Sequence, residues 1–103
     1  MGAQMALNLI SPGHIHYARL ENSKRLRRFL QFCMDGEWHS TLEQIIGGRV
    51  TSSSTARAEL NKNGYYFNEM VEKGENDILI YSYKLTPESL IKANEFFKNI
   101  TAH

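Results

Sequence analysis

The chain has few of the features that mark secreted, membrane-spanning or multidomain proteins. Its 103 residues include one cysteine, Cys33, so no intramolecular disulfide forms and nothing indicates an oxidising compartment. No apolar run approaches the roughly 18 residues of a membrane span, and no basic stretch precedes the first apolar residues as it would in a signal peptide. With 42% hydrophobic residues, the length suits one compact domain. We expect a cytoplasmic protein without a membrane partner.

Patterns typical of catalysis and of cofactor binding are also missing. Gly47-Gly48 lacks the flanking residues of a phosphate-binding loop, and the serines at 52–54 lack the setting of a catalytic nucleophile. His14 and His16 would share one face of a strand, but no cysteine or carboxylate lies nearby at a recognised metal-ligand spacing. We therefore expect no enzymatic activity, no metal and no cofactor.

Charge is nearly balanced overall and unevenly distributed. Twelve basic and eleven acidic residues give a net charge of +1, without the strong basic excess of a protein that coats DNA irrespective of sequence. Residues 19–62 contain eight basic and five acidic residues, 8 − 5 = +3, whereas residues 63–103 contain four and six, 4 − 6 = −2. Any attraction for a polyanion is expected to come from the first of these two segments.

The first predicted helix begins at Asn22 or Ser23, either of which caps it, and ends at Asp35-Gly36. Its buried face follows helical spacing at Leu26, Phe29, Leu30 and Cys33. The opposite face carries Lys24, Arg25, Arg27, Arg28 and Gln31. Four cations near a helix N-terminus oppose the helix dipole. They form either a solvated face or a site for an external anion.

Two shorter helices are predicted next. Ser40 or Thr41 caps the first of them, which ends at Gly47-Gly48 and has the core face Leu42, Ile45 and Ile46. The second starts between Ser52 and Ser54 and ends at Asn63-Gly64, with Ala56 and Leu60 facing the core. Its exposed side is expected to carry Ser53, Ser54, Arg57, Ala58, Asn61 and Lys62.

Extended segments surround these helices. Residues 37–41 contain a short extended piece with Trp38 as its apolar anchor, and residues 65–71 and 78–85 read as two strands rich in aromatic and β-branched residues. Residues 73–77 form the tip of the resulting hairpin. Because the tip is acidic, it is expected to repel phosphate groups, and Lys73 is its only candidate for such a contact.

The two ends of the chain are read as accessory elements. Residues 1–21 form a leader whose apolar residues, Leu7, Leu9, Ile10, Ile15 and Tyr17, are expected to pack partly on the domain or on a second subunit. Residues 86–103 form a helix opened by Thr86-Pro87-Glu88. Its wide apolar stripe either pairs with a second subunit or folds back on its own domain. The stripe comprises Leu90, Ile91, Ala93, Phe96, Phe97 and Ile100.

The central segment resembles winged helix-turn-helix regulators, and in particular small domains of bacteriophage and prophage proteins. The residues that carry the resemblance are Gly36, Trp38, Ser40, Thr41, Leu42, Glu43, then Ala56, Arg57, Glu59, Leu60, Lys62, Gly64 and Tyr65. The spacing departs from the family by one residue fewer between Ala-Arg and Glu-Leu. Arg57 stands where the family usually has an aliphatic residue. Either its stem follows the core edge with the guanidinium free, or the helix is rotated.

The resemblance implies an α+β fold: a three-helix core with a β-hairpin wing over residues 22–85, followed by a C-terminal helix. It also implies sequence-specific binding of double-stranded DNA, with residues 53–63 in the major groove. The role would be that of a dimeric transcriptional regulator or phage accessory factor. A dimer would place two such helices about 34 Å apart.

The residues predicted to bind DNA are Lys24, Arg25, Arg27, Arg28, Arg49, Thr51, Ser53, Ser54, Thr55, Arg57, Ala58, Asn61 and Lys62. Asn61 suits an adenine edge and Arg57 a guanine edge. The alternative is a winged-helix module that binds a host or phage protein through the aromatic hairpin, without DNA. The near-neutral charge and the acidic hairpin tip favour that alternative.

Overall fold

The computed structural model describes residues 17–101, so the expectations for residues 1–16, His14 and His16 among them, lie outside the described residues. The elements are α1 (Lys24–Cys33), β1 (His39–Ser40), α2 (Thr41–Gly48), α3 (Ser53–Lys62), β2 (Phe67–Lys73), β3 (Leu79–Leu85) and α4 (Pro87–Thr101). Three helices, a hairpin and a closing helix give an α+β fold with winged helix-turn-helix topology, as predicted. Within residues 17–101, no helix is both long and apolar enough to cross a bilayer.

The first helix forms as its sequence pattern predicts. The Ser23 hydroxyl accepts a hydrogen bond from the backbone N–H of Leu26 at 3.0 Å and so caps α1. All four residues of the predicted apolar stripe are buried, namely Leu26, Phe29, Leu30 and Cys33. Burial raises the pKa of the Cys33 thiol to about 12, so this side chain stays neutral in the core.

The core face of α2 differs from the predicted one. Leu42 and Ile46 are 63% and 68% exposed, and Ile45 is half-buried. Gln44 and Gly48 occupy the buried side instead, with Gln44 completely inaccessible to solvent. The prediction was wrong because hydrophobicity does not set the rotation of this two-turn helix. A close helix approach at Gly48 and polar partners for Gln44 set it.

Helix α3 begins and ends as predicted. The Ser52 hydroxyl accepts the backbone N–H three residues later at 3.2 Å, and Gly64 follows the helix with a φ of +90°, which favours glycine. Ala56 and Leu60 are fully buried. Ser53, predicted to be exposed, is buried as well. It lies three residues before Ala56 and therefore shares the helix face that packs on the core.

The sheet has three antiparallel strands in the order β1-β3-β2. Strands β2 and β3 pair along their whole length, from Phe67 opposite Leu85 to Lys73 opposite Leu79. Strand β1 pairs only with residues 82 and 83 of β3. The far half of the hairpin, residues 71–81, therefore extends beyond β1. We call this half the wing.

Trp38, which precedes β1, is not the apolar anchor that its sequence context suggested. Its side chain is 38% exposed, and the Nζ of Lys84 lies 5.7 Å from the centre of its ring. The indole therefore lies at the surface, where it contacts a cation from β3.

The closing helix packs on the domain from which it extends. The Thr86 hydroxyl accepts the N–H of Ser89 at 3.1 Å and caps α4. Ala93 is fully buried in the common core, and three of the predicted dimerisation residues, Leu90, Phe96 and Phe97, pack against that core. Of the two alternatives, folding back on its own domain is thus what most of the stripe does. Ile91 and Ile100 remain exposed.

The end of the leader is fastened to α3. Leu20 is buried, and its backbone N–H donates to Oδ1 of Asn63 at 3.0 Å. The Asn63 amide in turn donates to the carbonyl of Ala18 at 3.0 Å. This part of the leader accordingly packs on the domain, as one of the two predicted arrangements requires.

Candidate nucleic-acid interface

The outer face of α3 is exposed, polar and free of acidic side chains. Ser54, Thr55, Ala58, Asn61 and Lys62 all lie at the surface. Their spacing places them on one side of the helix, opposite the buried residues. The exposed Thr51 precedes them just before the helix begins. Such a face offers hydroxyl, amide and ammonium donors, with a small residue at its centre.

The one acidic residue of α3 belongs to a different side of the helix. Glu59 forms an ion pair with Arg25 on α1 and accepts the backbone N–H of Ala18 at 3.1 Å. Burial by itself raises the pKa of Glu59, but the hydrogen bonds from Arg25 and Ala18 outweigh burial and leave the pKa below its usual value. The carboxylate is therefore engaged within the fold.

The turn between α2 and α3 presents a group of cations. Arg49 ends α2 in the left-handed conformation, with φ 58° and ψ 50°. Its carbonyl oxygen accepts a hydrogen bond from Nη2 of Arg28 at 2.9 Å, and both side chains are exposed. Lys24 lies one turn earlier on α1 and is exposed too. Arg28 and Arg49 thus lie together at the turn before α3, and Lys24 is a further exposed cation on α1.

Two other arginines of α1 are engaged within the structure. Arg25 pairs with Glu59, as described above. Arg27 donates through Nη1 to the carbonyl oxygens of Leu20 at 3.0 Å and Glu21 at 2.9 Å, which fixes the short 3₁₀ turn before α1. The sequence alone places all four cations of α1 on one exposed face. The structure instead divides them into two that join parts of the fold and two that lie at the surface.

The guanidinium of Arg57 is not free, contrary to the first of the two arrangements considered for it. It donates to Oε1 of the buried Gln44 on α2 and stacks 3.6 Å from the centre of the Tyr83 ring on β3. Burial lowers the pKa of Arg57, while Tyr83 and Glu69 partly compensate. Arg57 therefore links α3 both to α2 and to the sheet.

A shallow cleft beside α3 lies next to the contact between Arg57 and Tyr83. It has a volume of about 290 Å³, and its lining residues are Arg57, Asn61, Tyr66, Phe67, Glu69 and Tyr83. Tyr83 donates its hydroxyl proton to Glu69 at 2.7 Å. Gln44, Tyr83 and Glu69 were not among the predicted site residues. The signal that points to them is Arg57 itself, because an arginine on the core side of a helix requires polar partners.

The wing combines negative charge with exposed apolar side chains. Residues 72–77 contain one base and three acids, 1 − 3 = −2, and the base, Lys73, lies 3.5 Å from the Asp77 carboxylate. Five large apolar side chains of the wing are exposed, namely Val71, Ile78, Leu79, Ile80 and Tyr81. The wing thus resembles neither a phosphate-binding surface nor an ordinary solvated hairpin.

The chain has winged helix-turn-helix topology. Its α3, the second helix of the helix-turn-helix, has a polar face exposed at the surface. No family model matches the chain, and no curated protein or solved structure is significantly similar to it. Among residues 17–101, no group of three or more His, Cys, Asp or Glu side chains is placed to hold a metal ion.

Proposed function

We propose that this protein binds double-stranded DNA in a sequence-specific manner, with α3 in the major groove. The observation that carries the proposal is the exposed outer face of α3, whose side chains are all donors, dual-function hydroxyls or small residues. Its acid, Glu59, is turned inward and neutralised by Arg25. A helix with this surface can approach the edges of base pairs without repulsion from phosphates.

Base recognition is assigned to the centre and C-terminal half of that face. Asn61 carries an amide that can pair with both N6 and N7 of adenine. Ala58, one turn earlier on the same face, is small enough to let the backbone of α3 come close to the bases. Thr51, Ser54 and Thr55 lie at the N-terminal end, where hydroxyl and backbone groups suit phosphate oxygens.

Phosphate attraction is assigned to the exposed cations Lys24, Arg28, Arg49 and Lys62. Arg25, Arg27 and Arg57, which the sequence suggested as DNA contacts, receive a different role in this proposal. Their guanidinium groups are bound to Glu59, to carbonyl oxygens and to Gln44. They act as positioning residues. Arg25 joins α1 to α3, Arg27 fixes the turn before α1, and Arg57 joins α3 to α2.

The biological role proposed is that of a transcriptional regulator or phage accessory factor. A dimer remains a prediction, and of the predicted dimerisation residues only Ile91 and Ile100 are exposed. The wing has no assigned contact with DNA, because its net charge of −2 opposes the approach of phosphates.

The test is selection of bound sequences from a pool of random-sequence duplexes at two salt concentrations. DNA binding through α3 predicts enrichment of a defined motif and an affinity that falls as salt rises, because the cations release counterions from DNA. The variant Asn61→Ala/Lys62→Ala, which changes two exposed side chains, should enrich a motif without the preference at one base pair and should bind all sequences more weakly. Binding no tighter than about 10⁻⁴ M at physiological salt, with no motif, contradicts the proposal.

The second candidate function is protein binding through the wing without any DNA contact. The exposed apolar side chains of the wing and its negative charge favour it. The variant Arg49→Glu/Lys62→Glu separates the two functions, since neither residue belongs to the wing. Loss of DNA binding in this variant supports the first function. Failure of both variant and parent to bind DNA supports the second.

A further inference from the structure

The wing and the cleft between α1 and α4 have complementary chemistry. The cleft has a volume of about 400 Å³, and its lining residues are Lys24, Arg27, Arg28, Gln31, Phe97, Ile100 and Thr101. Phe97 and Ile100 give it an apolar side, while Lys24 and Arg28 give it positive charge. The wing has the converse combination, apolar side chains with acidic neighbours. We propose that the wing of one copy docks into the α1–α4 cleft of a second copy.

The charges on both sides are available for such a contact. None of the ion pairs within residues 17–101 includes Lys24 or Arg28, or Glu72 or Glu75 of the wing. Arg28 uses its Nη2 to donate to the Arg49 carbonyl oxygen. The other N–H groups of its guanidinium can bind a partner. Opposite charges around an apolar centre set the orientation of a contact and accelerate its formation.

The exposed apolar side chains of the wing favour contact with a partner. Ile78 and Leu79 are 61% and 52% exposed, and Ile80 is 41% exposed. Because residues extend to both faces of a strand in alternation, Leu79 projects to one face of the wing and Ile78 and Ile80 to the other. A hairpin that is apolar on both faces is stabilised when another surface covers it.

A contact between two different patches is heterologous, so one copy of the pair keeps a free cleft and the other keeps a free wing. Further copies can add head to tail at these two free sites. Because a hairpin tip buries a small area, the contact is expected to be weak and reversible. Lys24 and Arg28 belong to the cleft and to the proposed DNA surface, so a docked wing and a phosphate compete for them.

The experiment is sedimentation of the full chain without DNA, from about 10 µM to about 1 mM, at low and at high salt. The expected result is a weight-average mass that rises with concentration and rises less at high salt. The wing variant Glu72→Lys/Glu75→Lys and the cleft variant Lys24→Glu/Arg28→Glu should each remain monomeric. Circular dichroism of each variant checks that the fold is retained.

Mixing the two variants is the decisive arm. In the mixture, the basic wing of the first variant can bind the acidic cleft of the second, and the acidic wing of the second can bind the basic cleft of the first. Association should therefore return to the level of the parent chain. The control Glu37→Lys/Glu95→Lys makes the same change in net charge at exposed acids outside the wing and should associate normally. A parent chain that stays monomeric throughout, or a mixture that does not associate, overturns the proposal. Association that is insensitive to all these charges overturns it too and assigns the contact to Ile91 on α4.

Discussion

Arg57 of α3 and Gln44 of α2 form a hydrogen bond across the helix-turn-helix. Gln44 is fully buried, and its amide nitrogen lies 3.7 Å from Sγ of Cys33. The Arg57 guanidinium satisfies the carbonyl oxygen of that amide and stacks on Tyr83. The angle between α2 and α3 therefore depends on a polar contact, which is directional, in addition to apolar packing.

A double-mutant cycle at this pair is the first prediction. Arg57→Leu leaves the buried Gln44 carbonyl without a partner, which costs about 1–3 kcal/mol of unfolding free energy. Replacing both residues by leucine removes both polar groups, so the double variant should be less destabilised than the sum of the two single variants. Urea unfolding of the four proteins measures the coupling. Strictly additive losses would show that the two side chains act independently.

The left-handed conformation of Arg49 gives the second prediction. A non-glycine residue in this conformation costs about 1–2 kcal/mol, and glycine removes that cost at the expense of a more flexible unfolded chain. Arg49→Gly should therefore leave the stability unchanged or raise it by up to about 1 kcal/mol, while it weakens DNA binding through the lost charge. Arg49→Ala is the matched control, because it loses the charge and keeps the backbone strain. Equal DNA affinity in all three proteins contradicts a role for this cation.

Neighbouring residues on α3 should affect DNA binding in different ways, which is the third prediction. Asn61→Ala should reduce discrimination at one base pair by about 1–3 kcal/mol. Lys62→Ala should weaken binding to all sequences alike and lower the salt slope by about 1. Titrations of the selected site and its single-base variants at several salt concentrations distinguish the two effects. If Lys62→Ala instead changed discrimination at one base pair and Asn61→Ala weakened binding to all sequences, Lys62 would contact the base and Asn61 the DNA backbone.

The fourth prediction concerns acid stability. Because the pKa of Glu59 is lower in the folded chain than its ordinary value of 4.5, its ion pair contributes stability above that pH. The contribution is lost as the pH falls through the lower, folded value. Glu59→Gln should therefore be less stable than the parent at neutral pH, and the difference should shrink below pH 4.5. Thermal unfolding at a series of pH values measures the difference.

Glu95→Gln, which changes an exposed carboxylate of α4, is the control for this series and should follow the parent closely. A difference between parent and Glu59→Gln that stays constant from neutral to acid pH would mean that the carboxylate charge has no part in the ion pair's contribution. The Arg25 side chain would then stabilise the contact by packing alone.

Much of the fold is readable from the sequence because local signals specify it. Ser23, Ser40 and Ser52 mark the starts of α1, α2 and α3, and Gly64 marks the end of α3. The apolar periodicity of α1 identifies its buried face correctly, since a helix of three turns has enough positions to define one side.

The rotation of α2 is not readable in the same way. In two turns, Leu42 and Ile46 define an apolar side that the structure leaves exposed. The buried side depends on distant residues. A Cβ at Gly48 would lie 2.5 Å from Cδ1 of Phe29 on α1, so close packing of the two helices requires glycine there. The burial of Gln44 depends on its hydrogen bond with Arg57, thirteen residues later in the chain. Neither requirement appears in a local pattern.

The sequence predicts most of the exposed residues of α3, and it misses the contacts of the arginines for the same reason. Residues at the exposed face of α3, such as Asn61 and Lys62, follow from helical periodicity. The roles of Arg25 and Arg27 do not, because their partners, Glu59 and the carbonyl oxygens before α1, come together only in the folded chain. The sequence therefore shows which residues are basic. The partners that each residue meets in the folded chain determine whether its charged group is exposed.

The uneven distribution of charge has a consequence for the approach of the protein to a polyanion such as the proposed DNA. With +3 on residues 19–62 and −2 on residues 63–103, the chain carries an electric dipole although its net charge is only +1. In the field of a polyanion, such a molecule is turned before contact, so that its positive segment leads and the hairpin trails. This orientation raises the association rate, because more encounters begin with the positive segment facing the polyanion. It adds no contact to the bound state. Salt should then slow the association step far more than it hastens release.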